Sequence, residues 1–206
     1  MHRTDDLPHP ATRSPDVPRW SEILRDRTHV IIRPLVPQDR EAERAFIEQL
    51  SAEACHFRFL GYVRHPSERT LDALTHLDPE RDVAFAAVIA EDAHDKIIGV
   101  SRYSADKDNA QCECAVVVDD EWQNKGLGTL LMRRLIEVAR ARGIRTMHSL
   151  DLTENVRMGD LARDLGFTRR LDPEDPSQVI HELVKAQLYF FFNVEIKIFQ
   201  VCFIEV

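Results

Sequence analysis

Cys112-Glu113-Cys114-Ala115-Val116-Val117-Val118, then Gln123-Asn124-Lys125-Gly126-Leu127-Gly128, is the stretch of sequence on which the fold turns. The first run is almost continuously apolar, as expected of a strand covered on both faces. Beyond the loop, Leu127, Leu130, Leu131, Leu135, Val138 and Ala139 recur at helical spacing, with Arg133, Arg134, Glu137 and Arg140 on the other side. Gly143 stands where a helix C-terminal cap belongs. Two glycines thus lie between a buried strand and an amphipathic helix. The first amides of a helix lack internal partners, and the helix dipole adds positive charge there. Glycine lets a phosphate approach that backbone closely, and Lys125 adds a charge from the side. The alternative is a plain strand-to-helix turn with no ligand. Two other phosphate motifs are excluded by spelling. There is no G-x-x-x-x-G-K-[ST] string, and the third glycine of G-x-G-x-x-G would fall on Leu131.

Working outward, His29 to Arg33, Val83 to Ala90, Ile97 to Tyr103, Thr146 to Leu152 and Val179 to Val184 read as strands. With Cys112 to Val118 as the fourth of them, Thr146 to Leu152 is the fifth. Gln38 to Leu50 has helical spacing, and Ser51 to Leu60 predicts a second short helix. Ser67 is an N-cap for a helix through Leu71 and Leu74, stopped by Asp78-Pro79. Asn155 to Leu165 predicts a further helix ending at Gly166. The class is α/β (α+β), with a β-α-β-α-β core over about residues 112–184.

The chain of 206 residues carries a formal charge of −8, so it has no basic footprint for nucleic acid. An acidic surface suits cationic partners. Cys55, Cys112, Cys114 and Cys202 are too scattered for a disulfide framework or a zinc site, and His56, His65, His76 and His148 have no ligand spacing, so no metal is expected. Residues 1–28 hold Pro8, Pro10, Pro15 and Pro18 among charged residues and predict a flexible arm rather than a signal peptide. Cytoplasmic residence is the default, with no membrane association. The domain is expected over 29–185. The tail, 186–206, is rich in Phe, Ile and Val, but Glu195 and Lys197 interrupt it too often for a membrane span. An added strand, an oligomer contact within a homodimer and a non-native reading-frame tail all remain open for it.

Gln123-Asn124-Lys125-Gly126-Leu127-Gly128 matches the [RQ]-x-x-G-x-[GA] signature of the GNAT superfamily of N-acetyltransferases. Asn155-Val156-Arg157-Met158, running to Leu165-Gly166-Phe167, resembles the family's second landmark. The resemblance spans about 29–185. Val30 to Leu35, Leu50-Ser51, Arg58 to Gly61 and Leu74 to Asp78 are similar to the catalytic domain of bacterial protein lysine acetyltransferases. Those enzymes often carry a regulatory or ligase-like domain, for which no room is expected here.

The resemblance implies a central mixed sheet of six to seven strands flanked by about four helices, with acetyl-CoA as co-substrate. It implies a pantetheine arm lying between splayed fourth and fifth strands, bonded by the main chain of Val116, Val117 and Val118. The pyrophosphate would take amides from Gln123, Asn124, Lys125, Gly126, Leu127, Gly128 and Thr129. Asn155 would touch the cofactor, cap its helix, or both. The acceptor is an amine, with protein lysine ahead of small amines. Only about one lysine in a few thousand is neutral at pH 7, so a proton acceptor is useful. Glu113 matches the family's base, and its apolar neighbours suggest partial burial that raises its pKa. Asp151 and Glu154 are in reserve, and an amide near Val116 would polarise the thioester carbonyl. Many members carry a tyrosine that protonates the leaving thiolate, but Met158 to Phe167 contains none, so no general acid is assigned. A non-catalytic acyl-CoA-binding regulatory module is the rival reading.

Overall fold

The computed structural model describes residues 18–59, 65–91 and 94–184. The proline-rich start of the arm and the strand-like tail lie outside the described residues. Eight strands form one sheet in the order β1-β2-β3-β4-β5-β6-β8-β7. They are β1 (Trp20–Ile23), β2 (His29–Pro34), β3 (Asp82–Glu91), β4 (His94–Ala105), β5 (Gln111–Val118), β6 (Thr146–Leu152), β7 (Thr168–Leu171) and β8 (Gln178–Val184). The helices are α1 (Arg40–Gln49), α2 (Ala52–Phe59), α3 (Glu68–Thr75), α4 (Leu127–Ala141) and α5 (Val156–Asp164).

The strongly apolar strands are apolar because helices cover both sheet faces. In β3, Val83, Phe85 and Ala87 join the core beneath α4, while Ala84, Ala86 and Val88 join the core beneath α1 and α3. Alternate residues of one strand therefore feed opposite layers. The α4 side is anchored by Leu127, Leu131, Met132, Leu135, Ile136 and Ala139, all buried. Each such leucine contributes about 1.5–3 kcal/mol relative to exposure. On the opposite side Arg102 of β4 donates to Glu43 of α1 (2.8 Å) and to the Leu74 carbonyl of α3 (3.1 Å). Burial raises the Glu43 carboxyl despite the attraction of Arg102 and lowers Arg102 despite Glu43. This pair therefore fixes how α1 and α3 sit on β4 at the cost of desolvating both charges.

The sheet departs from the sequence expectation, with eight strands rather than six or seven, while the five α-helices are those read from the sequence, one more than the family resemblance implied. One extra strand, β7, is exposed at every position and so shows no buried face to read. The other, β1, lies within the stretch expected as a flexible arm. It pairs antiparallel with β2, from Trp20 opposite Ile32 to Ile23 opposite His29. The ring of Trp20 meets Phe85 edge-on at 5.2 Å, and Leu24 is buried beneath the turn. Glu22 pairs with Arg134 of α4, holding the strand to the helix layer.

One pairing in the sheet is parallel, and it positions the site. β5 and β6 pair only at Gln111–Thr146, Cys112–Met147 and Glu113–His148, although β5 continues to Val118 and β6 to Leu152. Beyond Glu113 the two strands separate. Every other neighbouring pair is antiparallel.

Candidate active site

The separation of β5 from β6 opens a cleft of about 520 Å³, within the range of roughly 300–1,000 Å³ typical of small-molecule sites. One wall is β5 from Glu113 to Val118, and the other includes Leu150 and Asp151 of β6 with Asn155, Met158 and Leu161. Its floor is the loop into α4 and the first turn of that helix. The Asp119 amide bonds to the Ile98 carbonyl of β4. By alternation the backbone groups of Val117, opposite Val100, also face β4, against the sequence reading, while those of Val116 and Val118 face this gap. The Val118 carbonyl is already taken, accepting from Gln123 Nε2 at 3.2 Å.

The loop is shaped by two residues in the left-handed region, Asn124 (φ 60°) and Gly126 (φ 88°). Asparagine and glycine are the residues that tolerate it. Gly126 is the N-cap of α4 and, having no side chain, leaves the helix uncapped. The amides of Leu127, Gly128 and Thr129 lie in the first turn, where no intrahelical acceptor exists; all three residues line the cleft. At Gly128 an added Cβ would sit 3.5 Å from Leu161 and 3.8 Å from Val118, in ordinary contact. Space is therefore available for a methyl group there, and it is the space of the cleft.

Among the sequence-predicted site residues, Glu113, Val116, Val117, Val118, Gln123, Asn124, Gly126, Leu127, Gly128, Thr129 and Asn155 all line this one cleft. Besides Val117, two depart from their expected roles. Lys125 is not in the lining. Its ammonium pairs with Asp26 at 3.0 Å and lies 4.5 Å over the ring of Trp122. The amide of Gln123 bonds back to the Asp120 carbonyl at 3.4 Å, so it closes a turn. Its side chain joins Val118 and Asp120 to Arg157 of α5, which also reaches Glu53 of α2.

Glu113 is exposed, and the partial burial expected of it is not found. Its apolar neighbours Cys112 and Cys114 belong to the opposite face of the strand, packed beneath α4. The face of Glu113 looks instead toward Arg58 of α2, whose guanidinium feels the Glu113 carboxylate. Burial and the like charge of Arg102 push the Arg58 guanidinium down to about 10, with Glu43 and Glu113 opposing. Burial raises the Cys114 thiol, so it stays a neutral wall residue.

On the other wall, Asp151 is buried and accepts from Ser149 Oγ (2.6 Å), and the same oxygen meets His181 Nδ1 (2.9 Å). The Nε2 of His181 is buried and has no hydrogen-bond partner among the described residues. Glu154, the other reserve candidate, lies 3.6 Å from His56. Asn155 caps α5, accepting from the Met158 amide at 3.1 Å. Arg25, Arg58 and Arg157 reach the cleft from separate parts of the chain, and His181 of β8 stands behind Asp151; the tertiary fold, rather than a local pattern, brings these charges together.

No helix among the described residues is long and apolar enough to cross a membrane. Among the described residues, no group of three or more His, Cys, Asp or Glu side chains is arranged to hold a metal ion.

Comparison with known proteins gives one consistent result. The profile of the acetyltransferase (GNAT) family matches residues 40–167. Acetyltransferase PA5475 of Pseudomonas aeruginosa is 48% identical over 164 residues, covering 80% of this chain and 88% of that protein. Acetyltransferase Pat of Mycolicibacterium smegmatis is 31% identical over 136 residues, which are 66% of this chain but 40% of Pat. The crystal structure of the GNAT domain of S. lividans PAT superposes with a TM-score of 0.75 at 28% identity, covering 81% of this chain and 96% of that one.

Proposed function

Since this chain belongs to the acetyltransferase (GNAT) family and is accordingly an acyltransferase, we propose that it transfers an acetyl group from acetyl-CoA to a primary amine, by direct attack in a ternary complex. The family uses acetyl-CoA in general. The observation that carries the site is the uncapped N-terminus of α4 opening into the gap between β5 and β6. The amides of Leu127, Gly128 and Thr129 are the donors for the pyrophosphate. The main chain at Val116 and Val118 runs beside the pantetheine arm.

Glu113 takes the proton of the incoming ammonium. The freed nitrogen attacks the thioester carbonyl, the C–N bond forms, the C–S bond breaks, and coenzyme A leaves as the thiolate, while the remaining extra proton on the acylated nitrogen passes to solvent. A thiolate is a stable leaving group, which is consistent with the absence of a tyrosine from Met158 to Phe167. Exposure of Glu113 beside the open side of the cleft supports an acceptor that reaches in from outside, such as a lysine on a protein surface. Cytoplasmic residence belongs to the same reading, as does a catalytic domain over about 29–185 to which strand β1 is joined at its N-terminal edge.

The test is turnover of acetyl-CoA against a panel of lysine peptides and small amines. Glu113→Gln is expected to lower kcat by about 10²–10⁴ while leaving coenzyme A affinity unchanged. A variant as active as wild type across pH contradicts the assignment of the base.

A further inference from the structure

We propose that Arg25, at the tip of the β1–β2 hairpin, binds a phosphate group of the acyl donor, supplying beside Gly126 the positive charge that Lys125 does not. This rests on the reading that the cleft takes acetyl-CoA, and it names a residue from a part of the chain outside the family-matched segment.

The hairpin is fixed against the loop by backbone and charge. The Arg25 amide donates to the Lys125 carbonyl at 3.1 Å, and Lys125 pairs with Asp26 at 3.0 Å. Asp26 also accepts from the Thr28 amide at 3.0 Å, and Leu24 donates to the Thr28 carbonyl at 2.9 Å, closing the turn. The Thr28 amide, followed by Lys125, holds the Asp26 carboxyl down to about 2, so this latch is charged at any neutral pH. Lys125 is thereby consumed as a fastener, and the residue it fastens is Arg25.

The Arg25 side chain runs across the open face of Gly126. A Cβ on that glycine would lie 3.5 Å from Arg25 Nε, 3.7 Å from Cγ and 3.8 Å from Cδ. Three arginines line the cleft. Arg157 is engaged by Gln123 and Glu53, and Arg58 sits at the far end within the field of Glu43 and Glu113. Arg25 has neither an ion pair nor a side-chain hydrogen bond among the described residues. Its guanidinium stands beside the positive end of a 15-residue helix, an unfavourable pairing of like signs that an anion between them reverses. The planar fork of arginine matches two phosphate oxygens at once. Coenzyme A offers phosphate oxygens in its pyrophosphate and in its ribose 3′-phosphate.

Calorimetric titration with coenzyme A and with dephospho-coenzyme A distinguishes the two. Arg25→Ala is expected to weaken coenzyme A about tenfold, the loss of one charge-assisted hydrogen-bonded contact. Arg25→Lys recovers part of that loss, and Arg169→Ala, an equal change of net charge on exposed β7, has no effect. In turnover, KM for acetyl-CoA rises and kcat is retained. The same tenfold loss with dephospho-coenzyme A assigns Arg25 to the pyrophosphate. A loss seen only with coenzyme A assigns it to the 3′-phosphate. Arg25 is exposed, so its variants are expected to fold, and Arg25→Gln carries the test if the alanine variant does not. Arg25→Ala matching wild type with both ligands overturns the proposal alone. Wild-type protein that binds neither ligand overturns the acyl-donor reading and this role with it.

Discussion

Two helices begin at the rim of the cleft, and their N-termini are built in opposite ways. Helix α5 follows β6 and is closed by its own sequence, since Asn155 accepts from the Met158 amide. Helix α4 follows β5 and is left open, with Gly126 at the N-cap and no side chain to satisfy the first turn. Both are short walks from strands that have just separated. On the proposed function, the difference separates a helix start that serves stability from one that serves binding. Where the chain supplies its own acceptor, the amides are spent on stability; where it supplies glycine, they are open to the phosphates of the proposed donor.

The comparison can be broken at its strongest point by Gly126→Val. A β-branched residue at φ 88° is strained by about 1–2 kcal/mol, and its side chain enters the space between Arg25 and the helix amides. Coenzyme A affinity is expected to fall at least about a hundredfold in calorimetry, since several hydrogen bonds to a charged group are lost together. Gly128→Ala sharpens the contrast further, because its two effects have opposite signs. The methyl group fits the protein without clash, so thermal stability is expected to rise by about 0.4–1 kcal/mol. The same methyl projects into the cleft, and coenzyme A is expected to bind about tenfold more weakly. Gain in stability with no loss of affinity would mean that no ligand approaches the helix there. The smallest effect is at the closed end. Asn155→Ala is expected to cost about 1 kcal/mol in chemical denaturation, and Asn155→Asp, which keeps the capping oxygen, restores it.

Legibility in the sequence followed the same division. Strand β5, helix α4 and the glycines between them were readable because continuous apolar character, helical spacing and glycine each have a local cause. The Ser67 cap was readable for the same reason, and it accepts from the Thr70 amide at 3.1 Å. Strand β1 was not, because four residues among charges and prolines gain their order from Phe85, Arg134 and the loop rather than from one another. The environment of Glu113 was misjudged for a physical reason. Residues adjacent in a strand face opposite sides, so Cys112 and Cys114 report on the layer beneath α4 and say nothing of the side where Glu113 points. Lys125 sits among the glycines in sequence, yet its charge is spent on Asp26, and Arg25 arrives from about a hundred residues earlier. Such charge placement is a tertiary outcome. No local pattern encodes it.

The most direct measurement is amide hydrogen exchange with and without coenzyme A, resolved by residue. The account predicts marked protection of Leu127, Gly128 and Thr129 on binding, with Met158 and Gly159 little changed because their acceptors are already in place. Equal protection of both helix starts, or none at α4, would contradict it.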